Sequence, residues 1–143
     1  MTSKIDNYSD IPKCYREFYL SYTDNFEDSG FDKEYVEWLL DLLKNHPDDE
    51  EFQDKDVQNN MGTIFEDGIM VKKDIRKAVY WYELAIEQGD DLAMSNLADI
   101  LRKGSQGYSK DLKRAFGLYK RCGLPYAHYR VGEFYEIGWG TER

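Results

Sequence analysis

Residues 57–91 read VQNNMGTIFEDGIMVKKDIRKAVYWYELAIEQGDD, and this stretch decides the fold because the chain repeats it. It aligns with AMSNLADILRKGSQGYSKDLKRAFGLYKRCGLP from Ala93 and with AHYRVGEFYEIGWGTER from Ala127. The spacings are 36 residues (93 − 57) and 34 residues (127 − 93), within the range of helical-hairpin repeats.

Each copy follows one physical plan. In its first helix Met61, Ile64 and Phe65 recur as Leu97, Ile100 and Leu101, and again as Val131, Phe134 and Tyr135. That is one apolar stripe at helical spacing, written three times, and it reads as core. A small residue recurs beside the stripe as Gly62, Ala98 and Gly132; glycine weakens a helix interior, so its place there predicts a helix approaching too closely for a side chain. Gly68, Gly104 and Gly138 then end the helix, since glycine enters the left-handed region without strain.

A second helix opens at Asp74 and at Asp111, where an aspartate accepts bonds from the free N–H groups of the first turn. Behind these caps Ala78, Trp81, Tyr82 and Ala85 correspond to Ala115, Leu118, Tyr119 and Cys122, small residues for close packing with aromatic residues filling the groove. The second copy is three residues shorter after its tyrosine, so its helix is expected to break early, at Gly123 and Pro125.

The pattern small-x3-(L/M)-G-x2-(Y/F)-x2-G, a loop, then D-x2-KA-x2-WY-x2-A resembles the Sel-1-like repeat, a close relative of the tetratricopeptide repeat. DIRKAVYWYELA at 74–85 is a near-full match. The resemblance spans 57–143 as repeats 57–92 and 93–126 and a partial one at 127–143. It departs from the pattern in the second copy, with Ala98 for Gly, Leu118 for Trp and Cys122 for Ala. It implies an all-α fold, an α/α superhelical solenoid of antiparallel helix hairpins.

Residues 1–56 lack the repeat yet carry two helical patterns. Ile11, Tyr15, Phe18, Tyr19, Tyr22 and Phe26 follow Asp10 and Pro12; Phe31, Tyr35, Trp38, Leu39, Leu42 and Leu43 follow with Asp32 as cap and a stop at Asn45-His46-Pro47. Terminal units of solenoids are usually atypical, so 1–56 is expected to form an acidic, aromatic-rich helical cap, with 48–56 as a charged connector. At the other end GWGTER (138–143) stands where the resemblance places a further aspartate and second helix. Either the chain continues past Arg143 or the half repeat packs back as a cap; in both cases the Val131, Phe134 and Tyr135 stripe lacks its usual cover.

The formal charge of −9 is unevenly spread: 1–56 hold 6 Lys/Arg against 16 Asp/Glu, and 57–143 hold 13 against 12. An acidic segment repels nucleic acid and anionic lipid and speeds encounter with a basic partner; it also serves as a solvated, solubilising surface. The N-terminus MTSKIDNYSD has no apolar run behind its lysine, and no window reaches a membrane span, so a cytoplasmic location is expected, with Cys14 and Cys122 as reduced core residues.

Little here points to catalysis, metal or cofactor. His46 and His128 have no His, Cys or carboxylate at ligand or triad spacing. The run 48–56 lacks the glycine an EF-hand loop needs, and GSQGYSK at 104–110 lacks phosphate-loop spacing. No enzyme, no cofactor and no small-molecule substrate are expected. Tyr8 and Phe52 fall off the apolar stripes and are candidate partner contacts.

A candidate row remains. Asn59, Thr63 and Glu66 lie at i, i+4 and i+7, on a helix face away from the apolar stripe; the same offsets select Ser95, Asp99 and Arg102, then Tyr129, Glu133 and Glu136. The bland reading is simple exposure; the resemblance implies that these positions line a concave, ligand-facing groove. The function expected is an adaptor that holds a partner protein with a basic surface. The alternative is an intracellular immunity protein that neutralises a toxin by covering its basic active-site face.

Overall fold

A computed structural model describes residues 31–105 and 107–138 of the chain. The expected helix over 11–26, with Tyr8 and Cys14, and the last five residues lie outside that range. Among the described residues there are six α-helices and no strand: α1 (Lys33–Asn45), α2 (Lys55–Asp67), α3 (Ile75–Glu87), α4 (Asp91–Lys103), α5 (Leu112–Arg121) and α6 (Pro125–Ile137).

Aspartates start five of these helices. Asp32, Asp54, Asp74, Asp90 and Asp111 each accept a backbone N–H of the first turn, at 2.7–3.1 Å. Each such cap contributes about 1 kcal/mol by satisfying a donor that the helix leaves unpaired. The exception is α6, which opens on Pro125 with no side-chain cap. Pro125 thus begins a helix rather than ending one; α5 already stops at Arg121, three residues short of the thirteen in α3. Gly68 and Gly138 close α2 and α6 in the left-handed region, and Gly104 closes α4 at φ 75° with an extended ψ.

Helices α2 and α3 form the first hairpin and α4 and α5 the second, with α6 packed on α5. One core runs through all of them, from Val36 and Leu39 of α1 through Met61, Ile64, Tyr82, Leu97, Leu101 and Tyr119 to Phe134. The first helices α2 and α4 touch each other directly, and α3 and α5 border a groove of about 490 Å3 lined by Glu83, Ile86, Arg114 and Leu118, across which Arg114 pairs with Glu83 at 2.6 Å.

Three expectations change. The stretch 48–56 is not a free connector: Glu50–Gln53 form a 3-10 turn and Lys55 already begins α2. Phe52 is not a free aromatic either; it is 3% exposed, its ring 5.7 Å from that of Trp81, because the turn folds it back under α3. Within the α6 stripe only Phe134 is fully buried, its cover coming from the preceding helix α5 through the rings of Phe116 at 5.6 Å and Tyr119 at 5.7 Å, while Tyr135 stays 48% exposed. Cys122 is a buried free thiol whose Sγ lies 3.2 Å from the carbonyl of Asp91.

Candidate functional site

The candidate row lies along α2, α4 and α6, the first helices of the repeats. Its first positions are more enclosed than their polarity suggests: Asn59 is 8% and Ser95 6% exposed. Both are satisfied locally, which is what burial of a polar group requires. Asn59 Oδ1 accepts from Asn96 Nδ2 of the next repeat at 2.9 Å, and Ser95 Oγ donates to the carbonyl of Leu92 at 3.0 Å. These two therefore do not stand on an exposed face; these first helices approach so closely that this edge of the row is shut between them.

The second and third positions of the row meet a tyrosine from their own hairpin. Tyr82 of α3 donates to Glu66 Oε1 at 2.7 Å, with its hydroxyl 3.1 Å from Thr63 Oγ1. One repeat on, Tyr119 of α5 donates to Asp99 and accepts from Arg102 Nε at 3.1 Å. The geometry repeats while its chemistry differs: a carboxylate and a hydroxyl in the first unit, a carboxylate and a guanidinium in the second.

Gly62 explains how Tyr82 reaches across. A Cβ there would lie 2.9 Å from Cζ of the ring and nearer still to Cε1 and Cδ1, so the close approach predicted from the glycine is real. At Gly132, by contrast, nothing among the described residues lies within 4 Å of such a Cβ. Burial raises the Glu66 carboxyl above its ordinary value, the Tyr82 hydrogen bond opposes that, and Asp67 adds to the rise. Burial likewise pushes the Tyr82 and Tyr119 phenols well up, so both stay protonated donors.

In α6 the row opens out. Tyr129 is 63% exposed; Glu133 takes an ion pair from Arg130 Nη1 at 2.5 Å, which lowers its carboxyl below the ordinary value; Glu136 is exposed. Arg130 also donates to the Tyr126 hydroxyl at 2.9 Å, and that hydroxyl donates to Asp99 at 2.7 Å, joining α6 to α4. The row thus ends in a continuous polar chain from Arg102 through Asp99 to Glu133.

Repeated hairpins with a tyrosine seated over a small residue match a known sequence pattern. The profile described as Sel1 repeat matches residues 55–90, 91–121 and 125–143. The chain belongs to the Sel1 repeat family. Sel1 repeats are generally protein–protein interaction modules. A putative sel1-like repeat-containing protein of Acanthamoeba polyphaga mimivirus is 37% identical over 67 residues, which are 47% of this chain and 12% of that protein. The crystal structure of a Sel1 repeat protein from Oxalobacter formigenes superposes with a TM-score of 0.67 at 27% identity, over 77% of this chain and 44% of that one. A protective antigen of uropathogenic Escherichia coli strains, displaying an SLR fold, does so with a TM-score of 0.64 at 26% identity, over 76% and 23%. The chain thus spans less than half the length of each of these Sel1 relatives.

What the Sel1 pattern conceals is the role of the hydroxyls. Tyr82 and Tyr119 read as groove-filling aromatics, yet each also ties the hairpin to the row. The recurrence of Tyr rather than Phe at both positions is the signal, since a buried phenol needs a partner. Tyr126 carries no comparable mark, because its acceptor Asp99 lies on another repeat. Among the described residues no three His, Cys, Asp or Glu side chains converge on a metal-sized site, and no helix is long and apolar enough to cross a membrane.

Proposed function

We propose that this Sel1 chain is an adaptor that holds a partner protein with a basic surface, using the inner face of its first helices together with the acidic segment 1–56. The observation that carries the reading is the run of polar positions from Glu66 through Asp99 and Arg102 to Tyr129, Glu133 and Glu136, joined across α4 and α6 by the hydrogen bond from Tyr126 to Asp99. In this reading the first repeat supplies mainly Glu66 and Thr63, with Asn59 and Ser95 stiffening the wall, and α6 supplies the exposed contacts. Residues 1–56 act as the cap and 57–143 as the repeats, in the cytoplasm, without catalysis, cofactor, nucleic acid or membrane. Long-range attraction between the −10 segment and a basic partner would speed capture more than it strengthens the final complex.

The test is affinity capture from the native cell with the chain, with Asp48→Lys/Glu50→Lys and with Tyr129→Ala/Glu136→Ala. A basic partner recovered at low salt, released at high salt and lost from both variants is the expected result. A partner retained equally by all three would overturn the reading.

The charge imbalance also supports the immunity-protein reading. There the captured partner is a toxin domain whose activity falls when the chain is added; a partner with no such activity rules it out.

A further inference from the structure

The loops that join the two helices within each hairpin lie side by side and concentrate the positive charge of the repeats. Each closes in the same way: the Asp74 amide donates to the carbonyl of Phe65 at 2.9 Å, and the Asp111 amide to that of Leu101 at 2.8 Å. Arg76, at the start of α3, shares a recess of about 310 Å3 with Tyr108, Lys110 and Arg114 around the start of α5, which sets both loops on one edge. Residues 72–77 hold four Lys/Arg against one Asp and residues 110–114 three against one, so seven of the thirteen cations of 57–143 fall in these two runs. The two aspartates, Asp74 and Asp111, are engaged as helix caps. Arg114 pairs with Glu83, whereas Lys72, Arg76, Lys110 and Lys113 are exposed and enter no ion pair among the described residues.

An apolar side chain precedes Lys72 in the first loop, on an unfavourable backbone. Met70 has φ 62° and is 48% exposed. It stands four residues before its cap (74 − 70), where the second loop has Gly107 at φ 76° (111 − 107). Glycine enters the left-handed region freely, whereas a methionine there is strained, and this one is only half covered. A loop that keeps Met where Gly fits holds a flexible, polarisable side chain at the surface, of the kind that adapts to an apolar partner group.

We propose that this edge binds an acidic segment of a partner protein, with carboxylates on Lys72, Arg76, Lys110 and Lys113 and one apolar side chain on Met70. Charge complementarity selects an acidic occupant, and Met70 selects a peptide over a phosphate polymer, whose charged backbone has no aliphatic group to place there. A second copy fits less well: Phe52, the aromatic residue next to its acidic run at 48–51, is buried against Trp81 and does not reach out. The acidic turn precedes the thirteen residues of α2 and this edge follows them, so the two surfaces lie about 20 Å apart along the helix. The inference therefore goes beyond the capture of a basic partner and stands without it: an adaptor with surfaces of opposite sign bridges two unlike proteins.

The probe is the fluorescein-labelled peptide EEEFEEE, titrated by anisotropy with the 143-residue chain at low and high salt. Saturable binding that weakens with salt is expected. Arg76→Glu/Lys110→Glu should weaken it about tenfold or more, and replacing the peptide's phenylalanine by alanine about fivefold. Met70→Gly should weaken it about as much as the loss of the phenylalanine, while the unfolding midpoint stays or rises because glycine relieves the left-handed residue; the loss then belongs to contact and not to folding. Absence of binding, or binding indifferent to either Met70→Gly or the charge reversal, would overturn the proposal. So would tighter binding of a single-stranded oligonucleotide or of phosphatidylserine vesicles than of the peptide, or self-association at low salt that the charge reversal abolishes. Because these substitutions leave Asp48, Glu50, Tyr129 and Glu136 intact, this site and the capture of a basic partner fail independently.

Discussion

The ring of Tyr82 fills the space that a side chain on Gly62 would need. A helix loses stability by carrying glycine in its interior, and here the loss is offset by bringing a fully buried aromatic ring across the hairpin to a carboxylate on the far side. The same small residue recurs in sequence at Gly132, over which no ring stands among the described residues.

Alanine substitution at the two glycines therefore has opposite signs. Gly62→Ala is expected to destabilise the chain by about 1–3 kcal/mol, because the Tyr82 ring must leave its rotamer or push α3 outward. Gly132→Ala should stabilise it by up to about 1 kcal/mol through helix propensity alone. Urea denaturation of the two variants side by side reads both.

Removing the phenol oxygens isolates their part in the hairpins. Tyr82→Phe leaves the ring in place and deprives Glu66 and Thr63 of a shared partner, at a cost of about 1–3 kcal/mol. Tyr119→Phe should cost a similar amount. A double-mutant cycle of Tyr82→Phe with Glu66→Ala is expected to give a coupling clearly different from zero; additivity would show that the hydroxyl contributes nothing through Glu66.

Glu66 gives the fold a pH dependence of known sign. Burial raises its carboxyl in the folded chain, so the folded chain holds that proton more tightly than the unfolded one. Its contribution is fully present below the unfolded value of about 4.3 and is lost as pH rises through the higher folded value. Glu66→Gln keeps an acceptor for Tyr82 but cannot ionise. It should raise stability on the order of 0.5 kcal/mol at about pH 7, and the gain should vanish near about pH 4. A gain that is equal at both pH values would refute the assignment.

Phe52 is a structural residue outside the repeats. Phe52→Ala should cost about 3–5 kcal/mol by opening a cavity beside Trp81. Near-UV circular dichroism reports the disturbed tryptophan, and an unchanged spectrum and midpoint would contradict its burial.

The hairpins were legible in the sequence because each rests on local chemistry repeated in register: Asp74 and Asp111 as caps, Gly68 and Gly138 as stops, and the stripe beginning at Met61. The burial of Asn59 and Ser95 was not, because helical periodicity shows which face a residue occupies but not how closely the next helix approaches that edge. Phe52 escaped for a related reason. It sits in a four-residue turn with no period of its own, and only the fold brings Trp81 above it. The Asp99 cluster draws on α4, α5 and α6 at once, so no spacing within one helix could announce it.

Asp99 takes hydrogen bonds from Tyr119 of α5 and Tyr126 of α6, and so stands at a junction of three helices. Thr63 holds the equivalent place in the preceding unit and offers a neutral hydroxyl with a proton of its own. The two hairpins, alike in outline, are for that reason not interchangeable parts. Exchanging their order would hand Tyr126 a neutral hydroxyl in place of a carboxylate and place Asp99 where only one phenol arrives. The array thus has a direction encoded in its hydrogen-bonded polar atoms, and a chimera built by shuffling its units would have to carry its junction residues with it.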